Sequence, residues 1–174
     1  MRVYVGVGSN LGDRWANLAL AARALRGEPR VALLRASRVW DAAPLGPPQP
    51  RYLNAVLELE ALLPADALLA LLLELERADG RRPSPIRWSA RTLDLDLLLY
   101  GASRFASRGL TVPHPRLAGR LFVLVPLAAL APRRVVPGTT RSGQSSASGA
   151  RTKRRATSAG CGTTSAGVRM TSSP

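Results

Sequence analysis

Two hydrophobic periodicities alternate along the first 100 residues, and their order limits the folds that the chain can adopt. Four segments have the composition and alternation of strands with a buried face: residues 2–8, 31–40, 53–60 and 92–100. Helical spacing begins after Asp13, a candidate N-cap, and again over residues 65–78, where Pro64 suits the first turn. The predicted order is strand, helix, strand, strand, helix, strand.

This order is typical of an α+β fold. It predicts a two-layer sandwich in which a four-stranded antiparallel sheet carries the helices on one face. Residues 43–51 contain four prolines and cannot continue a sheet, so they form a loop. Residues 80–86 form a second loop, which is basic and contains proline.

Composition changes abruptly after Pro137. Residues 138–174 contain no aromatic residue, no Leu and no Ile, and Ser, Thr, Gly, Ala and Arg dominate them. Such a segment buries too little apolar surface to offset the entropy of ordering it. We therefore predict a domain over residues 1–137 and a disordered, low-complexity basic tail over residues 138–174. Two alternatives stay open for the tail: a nucleic-acid-binding arm, or a stretch in which the reading frame has been lost.

The charge balance indicates an anionic ligand. The formal net charge is +14, and all 11 acidic residues lie at or before Asp96. A basic domain suits a nucleotide or a nucleic acid, although an Arg-rich soluble surface would have the same composition. The single cysteine, Cys161, excludes an internal disulfide and a zinc site of ordinary spacing. No secretory signal is visible and the apolar runs are too short to span a bilayer, so we expect a cytoplasmic protein.

Two carboxylates in the last predicted strand are the most informative residues. Side chains at i and i+2 of a strand share a face, so Thr92, Asp94 and Asp96 should point one way and the intervening leucines into the core. Neighbouring carboxylates repel each other unless a cation or arginines neutralise them. Hard oxygen ligands of this kind suit Mg²⁺ held together with substrate phosphates. Simple ion pairs with nearby arginines on an exposed sheet face explain the spacing equally well.

The neighbouring residues favour the metal interpretation. Four arginines crowd the approach to the strand: Arg81, Arg82, Arg87 and Arg91. Guanidinium groups match phosphate oxygens and, with a metal, stabilise the charge of a phosphoryl-transfer transition state. Trp88 offers a flat surface for a heterocycle, and the only histidine, His114, lies between two prolines. Neither a dinucleotide fingerprint nor a Walker loop is present, because the glycines of residues 6–12 have the wrong spacing and the only lysine is Lys153.

Four segments, in this order, carry a recognisable pattern. They are residues 5–13 (VGVGSNLGD), residues 44–47 with 52–55, residues 87–96 (RWSARTLDLD), and residues 110–115 with 120–124. The pattern covers roughly residues 1–137, and its third segment is highly specific. It resembles the family of 6-hydroxymethyl-7,8-dihydropterin pyrophosphokinases of folate biosynthesis.

The resemblance implies a ferredoxin-like fold and the transfer of pyrophosphate from ATP to the pterin hydroxymethyl group, with release of AMP. It implies two Mg²⁺ ions bridged by Asp94 and Asp96. It implies catalytic roles for Arg81, Arg91 and Asp96. It places the pterin beside Leu45, Tyr52, Asn54, Trp88 and Phe122. It places ATP beside Arg81, Arg91, Thr111, His114 and Arg120.

The chain departs from the family pattern near this site. Ser89 stands where members usually have glycine, and Pro83 lies in the basic loop where they often have arginine. Two other interpretations stay open: a nucleic-acid-binding module on a ferredoxin-like sheet, and a folded but inactive relative. We expect a monomer that binds the pterin and ATP, and neither nucleic acid nor a membrane.

Overall fold

The computed structural model describes residues 1–80, 89–107, 109–136 and 169–170. Its strands are β1 (Arg2–Ser9), β2 (Val31–Ala36), β3 (Trp40–Ala42), β4 (Tyr52–Ala61), β5 (Asp94–Tyr100), β6 (Phe105–Ser107), β7 (Leu110–Val112) and β8 (Arg169–Met170). Its helices are α1 (Arg14–Gly27), α2 (Ala65–Ala78) and α3 (Leu121–Leu130), and a 3-10 turn spans Leu117–Gly119. The predicted α+β class is confirmed.

β1 and β4 lie at the centre of one antiparallel sheet. The strand order is β5-β1-β4-β3-β8, and β2 pairs with β4 on the same edge as β3. Val7 of β1 lies between Ala55 of β4 and Leu95 of β5, so three strands distant in sequence run side by side. The sheet is antiparallel as predicted, but it contains six strands in the described residues and not four.

The segment predicted as one strand over residues 31–40 is two strands. β2 and β3 both pair with β4, and the chain leaves the ladder between them at Ser37. The backbone N–H of Ser37 donates to the carbonyl of Val56 at 2.8 Å. The N–H of Val56 in turn donates to the Ser37 hydroxyl at 2.9 Å. A side-chain acceptor therefore replaces the missing backbone partner, which a hydrophobic pattern does not reveal.

α1 and α2 cover one face of the sheet and bury its apolar side chains. The alternating apolar residues of the predicted strands point into this core as expected, among them Val3, Val5, Val7, Leu53, Leu57, Leu59, Leu93, Leu95 and Leu97. The helices contribute Leu18, Leu25, Leu68 and Leu72. The predicted N-cap is confirmed, because the Asp13 carboxylate accepts the N–H of Ala16 at 3.0 Å. α2 begins and ends at the predicted residues.

α3 packs on the opposite face, so the prediction that the helices occupy one face is wrong. Tyr4, Val56 and Leu98 point from the sheet into a second core, which α3 closes with Val123 and Leu127. The helix is apolar on every side and contains Pro126, so it shows no helical period in the sequence. The sheet therefore lies between two helical layers.

The remaining described elements are short. β6 and β7 form a separate hairpin that leads the chain back to β5, where the N–H of His114 donates to the carbonyl of Leu98 at 2.9 Å. From the tail, β8 pairs with β3 by placing Met170 opposite Trp40. The disorder predicted for the rest of residues 138–174 concerns residues outside those that the structure describes. None of the helices in the described part of the chain combines the length and apolarity that a membrane span requires.

Candidate active site

The sheet register places the carboxylate pair beside two glycines of the central strand. Asp94 lies opposite Gly8 and Asp96 opposite Gly6, while Gly8 has Asn54 on its other side. A methyl group on Gly8 would lie 3.3 Å from the Asn54 Oδ1 atom and 3.9 Å from the Asp94 Cβ atom. Because Gly8 has no side chain, the sheet surface between the Asn54 amide and the Asp94 carboxylate is uncovered, and we call this surface the floor of the site.

A cleft of about 270 Å³ lies above this floor, on the α3 side of the sheet. It collects nine of the predicted site residues: Leu45, Tyr52, Asn54, Arg91, Asp94, Asp96, His114, Arg120 and Phe122. Ala43, Ser89, Pro115 and Arg116, which sequence reasoning did not assign to the site, complete its lining. The structure thus brings together residues from segments that are up to 79 positions apart in the chain.

A second cleft, of about 320 Å³, lies at the outer edge of β5. It contains the predicted ATP contact Thr111, and its apolar walls come from Leu69, Leu73, Leu97 and Leu110. It shares five residues with the first cleft: Arg91, Asp94, Asp96, His114 and Pro115. The carboxylate pair therefore stands at the junction of two clefts, one mainly lined by polar and aromatic groups and one with leucine walls.

Asp96 experiences opposing electrostatic effects at this junction. Burial and the negative charge of Asp94 raise the pKa of Asp96, although His114, Arg120 and Arg91 oppose that shift. The Arg120 Nη1 atom lies 3.3 Å from the Asp96 Oδ2 atom, and the His114 Nε2 atom lies 3.8 Å from Oδ1. Both contacts are looser than a close ion pair, so the charge of Asp96 is only partly compensated.

His114 is held with one nitrogen toward the carboxylates. Its Nδ1 atom accepts the backbone N–H of Arg116 at 3.2 Å, so in the neutral ring the proton lies on Nε2 and faces Asp96. Burial lowers the pKa of His114, and the positive charges of Arg120 and Arg116 lower it further against the effect of Asp96. A neutral imidazole that donates toward a carboxylate or a phosphate fits this environment.

Arg91 pairs with Asp94 and is oriented through its backbone by Asn10. The Arg91 guanidinium makes an ion pair with the Asp94 carboxylate. The Asn10 side-chain oxygen accepts the N–H of Arg91 at 2.7 Å, and the Asn10 N–H donates to the Arg91 carbonyl at 3.0 Å. The Asn10 side-chain nitrogen also donates to Gln49 at 3.0 Å and to the Pro50 carbonyl at 3.1 Å. Asn10 thus connects the arginine to the loop over residues 43–51, a role that the sequence pattern of residues 6–12 did not indicate.

Thr92 does not share the face of the two aspartates, contrary to the sequence prediction. β5 begins at Asp94, and the Thr92 hydroxyl donates to the carbonyl of Asp79 at the end of α2, 3.0 Å away. The strand predicted over residues 92–100 begins two residues too early, because the segment before Asp94 is fixed by loop contacts and not by the sheet. Leu93 and Leu95 do point into the α1–α2 core, as predicted.

Arg81 and Trp88, predicted as contacts of ATP and pterin, lie outside the described residues, as do Arg82, Pro83 and Arg87. Within the described residues, no group of three or more His, Cys, Asp or Glu side chains is arranged to hold a metal ion by itself. A pair of carboxylates facing open clefts nevertheless fits Mg²⁺, which usually keeps several waters and takes further oxygens from substrate phosphates.

Comparison with known proteins identifies the relatives of this chain. Residues 4–132 match the family model described as 7,8-dihydro-6-hydroxymethylpterin-pyrophosphokinase. The 2-amino-4-hydroxy-6-hydroxymethyldihydropteridine pyrophosphokinase of Synechocystis sp. is 41% identical over 80% of this chain and 70% of the relative. The protein of the same name from Pseudomonas aeruginosa is 43% identical over 75% of this chain and 81% of the relative.

A solved structure supports the fold. The crystal structure described as HPPK-DHPS in complex with substrates matches 75% of this chain and 40% of its own, with a TM-score of 0.58 at 9% sequence identity. At that identity the match concerns the fold alone. The family match and the two relatives cover the segments that build both clefts, and the chain belongs to the 7,8-dihydro-6-hydroxymethylpterin-pyrophosphokinase family.

Proposed function

We propose that this chain transfers the diphosphate of ATP to the hydroxymethyl oxygen of 6-hydroxymethyl-7,8-dihydropterin, which yields the pterin diphosphate and AMP. The new bond joins that oxygen to the β-phosphorus, and the bond from the β-phosphorus to the oxygen of the α-phosphate breaks. The observation that carries the proposal is the position of Asp94 and Asp96 where two clefts of different character meet. The relatives from Synechocystis and Pseudomonas bear the name of a pyrophosphokinase acting on this kind of pterin.

The first cleft suits the pterin. Tyr52 and Phe122 supply aromatic surface for a planar bicycle, and Leu45 supplies apolar contact. Asn54 is 7% exposed, and its amide can both donate to and accept from the pterin ring. Gly8 keeps the floor between Asn54 and Asp94 free of a side chain. A flat ligand seated here would direct a substituent toward the carboxylates.

The second cleft suits ATP. Its leucine walls offer apolar surface to an adenine, and the Thr111 hydroxyl offers a polar contact beside them. From there the phosphates would run toward the junction, where Arg91, His114 and Arg120 converge on the aspartates. Arg81, which lies outside the described residues, stays a predicted catalytic residue.

Mg²⁺ would be held by Asp94 and Asp96, and we propose two ions, as the resemblance implies. When bound, the metal would neutralise phosphate charge and polarise the phosphoryl oxygens. The chain's own arrangement agrees. Burial and the negative charge of Asp94 raise the pKa of Asp96, and a bound cation would relieve the repulsion between the two carboxylates.

The charged side chains have distinct roles in this proposal. Asp96 accepts the proton of the attacking hydroxyl, for which a raised pKa is favourable. Arg91 and Arg120 stabilise the negative charge that accumulates on the transferred group. Burial and Asp94 raise the pKa of Tyr52, so its phenol stays protonated and can donate a hydrogen bond near the acceptor.

Two further inferences concern the context of the site. We infer that β1, α1, β2, β4, α2 and β5 form a ferredoxin-like core, to which β3, α3 and the β6–β7 hairpin are added. We also expect a cytoplasmic monomer. Binding of nucleic acid is not favoured, since the α3 side of the sheet presents Asp94 and Asp96 where a base-stacking surface would be needed.

The experiment is an assay for AMP release in the presence of ATP, Mg²⁺ and the hydroxymethyl dihydropterin. We expect AMP to form only when the pterin is present and the diphosphorylated pterin to appear in equal amount. EDTA should abolish both products. Release of AMP without pterin, or no AMP from a sample shown to be folded by circular dichroism, would overturn the proposal.

A further inference from the structure

Asn17 lies on α1 outside both clefts, yet its side chain reaches the segment that precedes β5. The Asn17 Nδ2 atom lies 3.1 Å from the Thr92 carbonyl oxygen. It also lies 3.0 Å from the Leu11 carbonyl oxygen and 3.1 Å from the Ser9 hydroxyl. Two N–H bonds are thus shared among three acceptors. One amide group therefore joins α1, the end of β1 and the segment before β5.

Asn17 contacts a segment that is not paired with a strand of the sheet. The pairing of β1 with β5 ends at Gly8 and Asp94, so residues 91–93 have no ladder partner on β1. Asn10 fixes the backbone of Arg91, and Asn17 fixes the carbonyl of Thr92. The N–H groups of Asn10 and Leu11 also donate to the Arg91 carbonyl, at 3.0 and 3.2 Å, and together these contacts hold the segment directly before the first aspartate.

The position of that segment determines the geometry of the carboxylate pair. Thr92 stands between Arg91 and Leu93, two residues before Asp94, and the Arg91 side chain pairs with the Asp94 carboxylate. The Thr92 hydroxyl is held by the Asp79 carbonyl from the α2 side, so Asn17 supplies the contact from the α1 side. Without it, the Thr92 carbonyl would lose its contact with α1, and the peptide unit that lies between Arg91 and Asp94 would be held less firmly. Displacements of about 1 Å at a reacting centre cost up to about 10²-fold in rate.

We propose that Asn17 is a positioning residue, which holds Arg91 and Asp94 in place for phosphoryl transfer without touching either substrate. The kinetic consequence of this role rests on the proposed function. Its structural consequence, a firmly held segment over residues 89–95, can be measured without substrate.

The test compares Asn17→Ala and Asn17→Asp with wild type. Asn17→Ala removes the three contacts without adding a charge. Asp has the shape of Asn but no N–H to donate, and its negative charge also repels the Leu11 and Thr92 carbonyl oxygens, so Asn17→Ala carries the test if the Asp variant does not fold. We expect kcat to fall about 10-fold while KM for the pterin stays within about two-fold, because the acceptor contacts are untouched. Hydrogen exchange of peptides covering residues 89–95 should become faster.

Leu18→Ala is the matched control, because Leu18 is the buried neighbour of Asn17 on the same helix. It should lower the melting temperature but leave kcat of the folded protein and exchange at residues 89–95 within about two-fold of wild type. The proposal is overturned if the Asn17 variants keep wild-type kcat, if their exchange at residues 89–95 is unchanged, or if Leu18→Ala produces the same losses. Should wild type itself release no pterin-dependent AMP, the proposed function fails, and the exchange comparison alone still decides whether Asn17 holds this segment.

Discussion

The two faces of the central sheet differ in what they bury. The α1–α2 face is closed over an apolar core, whereas the other face is closed by α3 at one end and left open over the carboxylates at the other. Leu95 is 3% exposed, while the side chains of its neighbours Asp94 and Asp96 are 28% and 31% exposed. Successive side chains of a strand point to opposite faces. Neighbouring residues of β5 therefore contribute either to the stability of the core or to the proposed chemistry.

This arrangement places a rigid support directly behind the reactive groups. Leu95 and Leu97 of β5 belong to the core that α1 and α2 cover, so the strand cannot move without disturbing that core. A site built on a regular strand holds its geometry more closely than one built on loops. Substitutions on the two faces should therefore affect different quantities: activity on the open face and the free energy of unfolding on the closed face.

The largest effect should come from Asp96→Asn on the open face. We expect kcat to fall about 10³-fold, because the proposed mechanism makes Asp96 both the proton acceptor and a ligand of Mg²⁺. Burial and Asp94 raise the pKa of Asp96 in the folded protein. Ionisation of this group therefore lowers the free energy of unfolding once the pH exceeds the pKa of an aspartate in the unfolded chain, about 3.9. Asn17 and the core are untouched, and the variant should be at least as stable as wild type at pH 7 in urea denaturation.

Asp66→Asn serves as the control for that prediction, because Asp66 is an exposed acid in the first turn of α2. It should retain wild-type activity and nearly wild-type stability. If Asp96→Asn unfolds more readily while keeping its activity, the carboxylate is a structural ion-pair partner of Arg120 and the contrast between the faces is wrong.

On the closed face, Leu72→Ala should lower stability and leave the chemistry intact. Leu72 is fully buried between α2 and the sheet, so its truncation should cost about 3 kcal/mol of unfolding free energy. Activity per folded molecule should stay within about two-fold of wild type. Denaturant titration and a kinetic assay at low temperature measure the two quantities. A fall in kcat without a fall in stability would mean that the two faces are coupled.

Sequence patterns located the closed face better than the open one. The alternation of Val3, Val5 and Val7 and the periodicity of α2 specify which side chains are buried, because one side of each element is apolar and the other is not. The sequence patterns did not predict α3, because residues 121–130 are apolar on all sides and contain Pro126. No apolar face can therefore be told apart from a polar one. Without α3, the second layer of helices could not be inferred.

The site was predicted through its motifs and not through local geometry. The spacing of Asp94 and Asp96 fits an ion pair as well as a metal site. The neighbouring arginines and the resemblance to a family favour the metal site, which stays a prediction. The contribution of Gly8 depends on the register that sets it between Asn54 and Asp94, which no local pattern contains. Asn10 and Asn17 act by hydrogen bonds across the chain to residues 91 and 92, and such contacts follow only from the assembled fold.

Glu76 is a buried acidic residue beside the closed face, and its contact with β5 can be tested. It is 1% exposed, and its carboxylate accepts the N–H of Leu95 at 2.8 Å, on the edge of β5 that β1 does not pair. Glu76→Ala should leave that buried N–H without this acceptor and cost about 2 kcal/mol. Glu76→Gln keeps a side-chain oxygen in reach and should cost less. Thermal denaturation of both variants measures the difference, and equal losses would contradict a specific role for the contact with Leu95.

The smallest effect is expected at the floor of the open face. A methyl group at Gly8 would stand 3.3 Å from the Asn54 Oδ1 atom, so Gly8→Ala should displace the amide by a few tenths of an ångström. At Gly6 the same methyl group would meet the Leu98 side chain at 3.5 Å, an ordinary contact away from the amide. We expect KM for the pterin to rise about five-fold in Gly8→Ala and to stay within about two-fold of wild type in Gly6→Ala. Both should fold normally, because alanine restricts the unfolded chain and fits extended backbone. If KM rises equally in the two variants, an added methyl group anywhere on β1 weakens pterin binding. The gap between Asn54 and Asp94 would then have no specific role.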